Sequence, residues 1–181
     1  MLGNDFLTDF KCSTEQKWSA CSINPAIYGF QFQRGTRWNL GLSAEKIAEY
    51  ERAIEVRFPD DFREFLRAMN GTDLPTLNVY GYCGEAHRRS IGVYSYPRDL
   101  EVVRRRIKDV REWWPDLVKT MAEQGFALSA DSALVPIYIH PYVVCTSDPG
   151  SSVVLSIDDG SDAIVYGNSL EEYLRREFLR D

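Results

Sequence analysis

The last third of the chain is cut into short apolar runs by turn-forming pairs, and this spacing constrains the fold more than any other feature. Leu134 to Ile139, Tyr142 to Cys145, Val153 to Ile157 and Ala163 to Tyr166 each have the length and the Val, Ile and Tyr content of a strand. Pro149-Gly150 and Asp158-Asp159-Gly160 fall between runs, and the second is a hairpin-type turn. Connections this short join antiparallel neighbours, because a parallel pair needs a crossover of a dozen or more residues. Ser169 then opens a last helix, with Glu172 three positions on in a capping box and Leu170, Tyr173, Leu174 and Phe178 as its apolar face.

Helices dominate the middle. Ser43 caps a helix over 44–57, with Leu42 and Ile47 placed as a hydrophobic staple and Ile47, Tyr50 and Ile54 at helical spacing. Pro59 ends it and suits the start of the next, where Asp60 and Asp61 favour the positive helix end. Phe62, Phe65, Leu66 and Met69 share one face of that helix, and Gly71 can adopt the left-handed conformation that stops it. Two strand-like runs follow, Leu77 to Tyr82 and Ile91 to Tyr96. Leu100, Val103, Ile107 and Val110 then form an apolar helical stripe that Pro115 should break, with Leu117, Val118 and Met121 on a second piece. Helices first and strands together later predict an α+β fold: a single domain with a mostly antiparallel sheet flanked by helices. Phe62, Leu66, Leu155, Ile157, Ile164 and Leu174 are expected in the core.

Two phrases carry a family likeness. The first runs from Trp38 to Gly71: Trp-Asn-x-Gly-Leu-Ser, an amphipathic helix, Phe-Pro-Asp-Asp-Phe-Arg-Glu-Phe-Leu and an Asn-Gly stop. The second runs from Leu134 to Phe178: Leu-Val-Pro-Ile-Tyr-Ile-His-Pro-Tyr-Val-Val, then Val-Leu-Ser-Ile, then Ala-Ile-Val-Tyr-Gly-Asn-Ser-Leu-Glu-Glu-Tyr-Leu-Arg-Arg-Glu-Phe. Together they resemble the SUKH superfamily over residues 36–180. The resemblance implies a central, mostly antiparallel sheet flanked by helices and a protein-binding domain with neither catalysis nor a cofactor. Family members are mostly bacterial immunity proteins of toxin systems, with yeast relatives that regulate cell-wall synthesis. The first expectation is therefore an immunity protein for a cognate toxin, a nuclease or a deaminase. The alternative is a non-catalytic regulatory adaptor that binds a cellular protein. Many members carry His-Arg-Tyr where this chain has His140-Pro141-Tyr142, so an arginine contact at that point is not implied here.

Residues 1–35 mix Ser, Thr, Asn and Gln with isolated aromatics such as Phe10, Trp18 and Phe32. They read as an N-terminal extension partly docked on a domain of residues 36–181, with the first 15 or so comparatively mobile. At 181 residues one sizeable core is available. A net charge of −6 argues against general nucleic-acid binding, which draws on a basic face. No secretory signal and no run of about 18 apolar residues is readable, which predicts a cytoplasmic protein with no membrane partner.

Candidate chemistry is sparse. His140 has no nucleophile elbow or paired motif around it and is expected to be structural. Cys83, Gly84, Glu85, Ala86 and His87 lack two further ligands at a metal-site spacing, so no metal is expected, and the four cysteines read as free thiols. Arg104, Arg105, Arg106, Lys108 and Arg111 interleave with Asp99, Glu101, Asp109 and Glu112 as a salt-bridged solvated face. Partner binding is assigned instead to the acidic turn Asp158, Asp159 and Asp162 and to the aromatic anchors Tyr80 and Tyr94.

Overall fold

The computed structural model describes residues 2–79, 92–147 and 152–179, and the backbone of 86–89. Its centre is a four-stranded antiparallel sheet made of β6 (Ala133–Pro136), β7 (Pro141–Cys145), β8 (Val154–Ile157) and β9 (Ala163–Gly167) in that order. The order follows the sequence, as short turns require. Strand alternation then divides the side chains between two faces. Val135, Val143, Cys145 and Val154 enter one apolar cluster, and Leu134, Tyr142, Val144, Leu155 and Ile157 enter another.

The second cluster is covered by α4 (Leu100–Glu112) and α5 (Trp114–Glu123). The break between them falls at Trp113, with Pro115 in the first turn of α5, where a missing N–H costs nothing. Val110, Leu117 and Met121 supply the contact. The first cluster is larger and aromatic. It gathers α2 (Ala44–Ile54), α3 (Asp60–Ala68), α6 (Leu170–Leu174) and the π-helical turn Arg175–Leu179 that continues α6.

Ser43 accepts the Lys46 amide at 3.3 Å and Ser169 accepts that of Glu172 at 3.1 Å, so both caps form. The return arm of the second cap differs from the expected box: Glu172 takes the Asn168 backbone amide at 2.9 Å. Helix α2 ends at Ile54, short of the expected 57, because Glu55 adopts the left-handed conformation at φ 57°.

Gly71 has the positive φ expected of it, 68°, but it does not stop a helix. Helix α3 ends at Ala68 and passes directly into β3 (Met69–Thr72), which pairs with β2 (Trp38–Leu40). A Cβ at Gly71 would lie 2.5 Å from the Val93 carbonyl oxygen and 2.6 Å from that of Tyr94, so a close backbone approach fixes this glycine. Gly41 is fixed in the same way by the Arg67 carbonyl.

Residues 92–96, expected as part of a strand, are irregular. They bridge instead: the Thr72 amide donates to Val93, and the Tyr94 amide to Ile137 in the β6–β7 turn. The Asn70 side chain takes both backbone groups of Tyr96, at 2.7 and 2.9 Å, in place of a neighbouring strand. The other expected strand begins at Leu77 as β4 (Leu77–Val79), between β1 (Gly29–Gln31) and β5 (Ala86–Arg89) in a small antiparallel sheet.

The stretch read as an N-terminal extension holds a 17-residue helix, α1 (Asn4–Ala20), with Leu7, Phe10, Thr14 and Trp18 buried. Phe10 and Trp18 pack on Trp38 and Phe178, and Trp38 packs on Phe65. Trp38 thus ties α1 and the last turn to α3. Of the expected core, Phe62, Leu66, Leu155, Ile157 and Leu174 are buried. Ile164 is 46% exposed, because β9 is an edge strand and neither apolar cluster extends to this residue. Among the described residues, no helix is long and apolar enough to cross a membrane.

Candidate functional site

The site is a cleft organised around the tight β6–β7 turn. The Ile137 amide donates to the Pro141 carbonyl at 2.9 Å and closes the turn, and the Ile157 amide of β8 donates to the His140 carbonyl, also at 2.9 Å. His140 is held by its backbone, and its half-exposed ring is left to face the cleft. Pro141 starts β7, a position where a strand tolerates proline.

One lobe, of about 220 Å³, lies among Phe30, His140, Ser156, Tyr166 and Glu177, over Tyr138. Glu177 comes from the π-helical turn, and its Oε2 accepts the Tyr166 hydroxyl at 2.9 Å. Burial pushes the Glu177 carboxyl above the usual range, and the Tyr166 hydrogen bond and nearby His140 partly offset this. The Tyr138 hydroxyl is buried and makes no well-formed hydrogen bond, although the Thr76 hydroxyl is close enough to influence it. Burial raises the Tyr138 phenol far above its ordinary value.

A shallower lobe continues past His140 to Tyr28, Asn78, Arg106 and Asp158. Asp158 stands in the β8–β9 turn, with Oδ1 3.3 Å from His140 Nδ1, and the ring nitrogen itself lacks a well-formed hydrogen bond. Across this lobe is the loop before β1. Ile27 and Tyr28 are 58% and 66% exposed there. The loop is built rather than loose: Gln31 accepts the Asn24 amide and donates to the Asn24 carbonyl, each at 2.8 Å, and Asn24 accepts the Ala26 amide.

The expected partner-binding residues separate on this geometry. Asp158, Asp159 and Asp162 are all exposed at one turn. Asp159 is committed to it: its Oδ1 accepts the Ser161 hydroxyl, the Ser161 amide and the Asp162 amide within 2.9 Å. These bonds, the Ser161 hydroxyl foremost, hold its carboxyl below the usual range. Asp158 and Asp162 keep carboxylates that the turn does not occupy in this way. Tyr94 is 8% exposed, with the Arg106 guanidinium near enough to offset part of the burial that raises its phenol, so it lies under the surface instead of on it. Burial therefore removes Tyr94 from the surface anchors. Tyr80 lies outside the described residues, as does Cys83.

Arg106 also departs from the solvated basic face, since it is half-buried at the cleft floor. Its neighbours behave as expected: Arg104 pairs with Glu101 at 2.6 Å and Lys108 with Glu112 at 3.8 Å. Sequence reasoning missed Tyr28, Phe30 and Glu177. Glu177 had a readable signal, because it falls three and four residues after the buried Leu174 and Tyr173.

His140 and Asp158 form half of a hydrolytic constellation, and Ser156 shares their cleft. Among the described residues, no hydrogen bond joins Ser156 to His140, and no group of three His, Cys, Asp or Glu is placed to hold a metal ion. Cys145 is buried, and burial pushes its thiol far up, away from the nucleophilic form. What the arrangement offers is acceptors, aromatic walls and an exposed rim, which are the parts of a binding surface.

No curated protein matches the chain. The family model of the SMI1 / KNR4 family (SUKH-1) matches residues 41–176, from the Gly41 approach beside α3 to the π-helical turn that carries Glu177. With the α+β architecture and most of both sequence phrases inside that span, the chain belongs to the SMI1 / KNR4 family (SUKH-1).

Proposed function

We propose that this protein is an immunity protein that binds and neutralises a cognate toxin domain of a bacterial polymorphic toxin system, a nuclease or a deaminase. It acts in the cytoplasm, without a cofactor and without chemistry of its own, by covering the toxin's active site or substrate path. Family membership supports the protein-binding role. The observation that carries the reading further is the pairing across the shallow lobe. Tyr28, large and exposed, and Asp158 line the same lobe, with exposed Ile27 next to Tyr28 in the chain and exposed Asp162 in the turn that carries Asp158.

That pairing has the chemistry of an interface with a basic protein. Aromatic anchors exclude water at the centre of a contact, and rim charges steer the encounter and reject wrong partners. Nuclease toxins present cationic surfaces to nucleic acid, and an acidic rim complements them. The test is co-expression with the toxin encoded beside the gene. Growth should be restored by the protein and lost again with Tyr28→Ala and Asp158→Lys combined. Failure to protect against any adjacent toxin, with capture of a housekeeping protein in its place, would establish the regulatory-adaptor role.

A further inference from the structure

We propose that the inner lobe of the His140 cleft is a socket for one arginine side chain of the partner protein. Two observations set the occupant. The inner lobe holds about 220 Å³, room for one long side chain, and it opens past His140 onto the shallower lobe of about 570 Å³, through which a side chain from a partner's surface can enter. The charge inside it is negative. Glu177 lines it, and a carboxylate can accept about four hydrogen bonds, of which the Tyr166 hydroxyl fills one.

Among the described residues, the neighbouring cations do not cancel that charge in place. Arg176 is pinned outside, with its guanidinium 4.7 Å from the centre of the Tyr166 ring and its Nη1 donating to the Tyr166 carbonyl. Arg106 is engaged with Tyr94 in the other lobe. An anion would meet Glu177, and an apolar side chain would seal a carboxylate away from water without a partner, which is strongly unfavourable. A guanidinium answers both: it donates to Glu177 and to the Ser156 hydroxyl, and its plane lies against Phe30. Lysine lacks the flat face for that stacking. Asp158, at the lip beside His140, draws the cation in.

The socket rests on the reading that the chain binds a protein, but it is testable without the toxin. The probe is N-acetyl-arginine methylamide, titrated into the full chain and followed by backbone amide NMR. The citrulline analogue, a neutral isostere, is the control. The arginine probe is expected to shift the amides of His140, Ser156 and Glu177 with millimolar affinity, and the citrulline probe to bind at least fivefold more weakly. Glu177→Gln, which can still accept the Tyr166 hydroxyl, should lose the arginine preference. Phe30→Ala, on an edge strand, should weaken binding of the arginine probe severalfold with the fold intact. In the complex, Glu177→Gln should weaken toxin binding at least tenfold. Cleft amides unmoved by the arginine probe, or equal arginine preference in Glu177→Gln, overturns the socket. Arginine-selective binding in a protein that protects against no toxin keeps the socket and removes the immunity role.

Discussion

In the aromatic core, Trp38 buries its indole N–H and finds a partner for it: Thr14 accepts at 2.8 Å. Around the His140 cleft, the Tyr138 hydroxyl and the His140 Nδ1 are also buried, yet neither completes a hydrogen bond of good geometry. The regions adjoin, since Phe30 and Phe32 both pack on Tyr138. The core pairs the Trp38 indole with Thr14, leaves the Tyr173 hydroxyl as its own unpaired group, and fills its volume with rings. The cleft keeps acceptors poorly paired and volume empty. Interiors seldom leave polar atoms in this state, and where they do, a ligand or water commonly completes them. The difference assigns stability to one region and binding to the other.

The strongest way to break that assignment is to remove α1. Phe10 and Trp18 pack on Trp38 and Phe178, so deleting residues 2–20 strips the core of two large rings and exposes two more. Loss of one buried aromatic side chain costs about 3–5 kcal/mol, a large share of the roughly 5–15 kcal/mol that holds a domain folded. The shortened chain should lose its cooperative thermal transition and its near-ultraviolet dichroism. A sharp transition after deletion would place the start of the folded unit near residue 36 and make α1 a docked extension.

A smaller cut into the same region is Thr14→Val. The shape is kept and the acceptor of the Trp38 indole is lost. A buried donor left without a partner costs about 1–3 kcal/mol. Chemical denaturation should show that loss with an unchanged slope. No change would mean that water reaches the indole and that the core is less dry than its packing shows.

The fold was legible where local chemistry decides it. Ser43, Ser169 and Pro115 act within one turn of their own helices, and the short apolar runs could pair only as neighbours. It was illegible where a distant contact decides. Gly71 looked like a helix stop, because its real constraint, the carbonyls of Val93 and Tyr94, lies more than 20 residues away. Residues 92–96 carry strand composition, but the Asn70 side chain takes the place of a strand neighbour. Helix α1 hid because its polar residues outnumber the four that are buried. At the site, the acidic turn was readable from Asp-Asp-Gly. Tyr28 and Phe30 were not, since only tertiary packing carries β1 to the lip of the sheet.

Glu177→Gln sharpens the comparison from the cleft side and reverses the sign. Burial raises the carboxyl above its unfolded value near 4.5, so the folded state resists the ionised form. That resistance is absent below the unfolded value and develops as pH rises through the folded one. Glutamine escapes it. The variant should therefore melt higher than the natural chain at pH 7, and the advantage should fade as pH falls through the folded value towards 4.5 and be absent below it. A gain independent of pH would trace to packing, and a loss at pH 7 would make Glu177 part of the stable core.

The smallest effect on stability is expected at the rim, where the effect on binding should be kinetic. The side chains of Asp158 and Asp162 are exposed and take little part in the turn, which their backbones close, whereas the Asp159 carboxylate holds it through three hydrogen bonds. Reversing Asp158 and Asp162 to Lys should change stability by no more than about 0.5 kcal/mol, as surface substitutions do. Asp159→Ala should cost more, although it removes only one charge. Against a basic toxin the double reversal should slow association and flatten its dependence on salt, because exposed charges act over a screening length of about 8 Å at physiological ionic strength. Dissociation should move little, since it is set by the anchors at Tyr28 and within the cleft. Stopped-flow association at two salt concentrations, beside thermal melts of the same variants, reads both quantities. Unchanged association at both concentrations would leave these aspartates a turn and nothing more, and would move the acidic half of the interface to another face of the molecule.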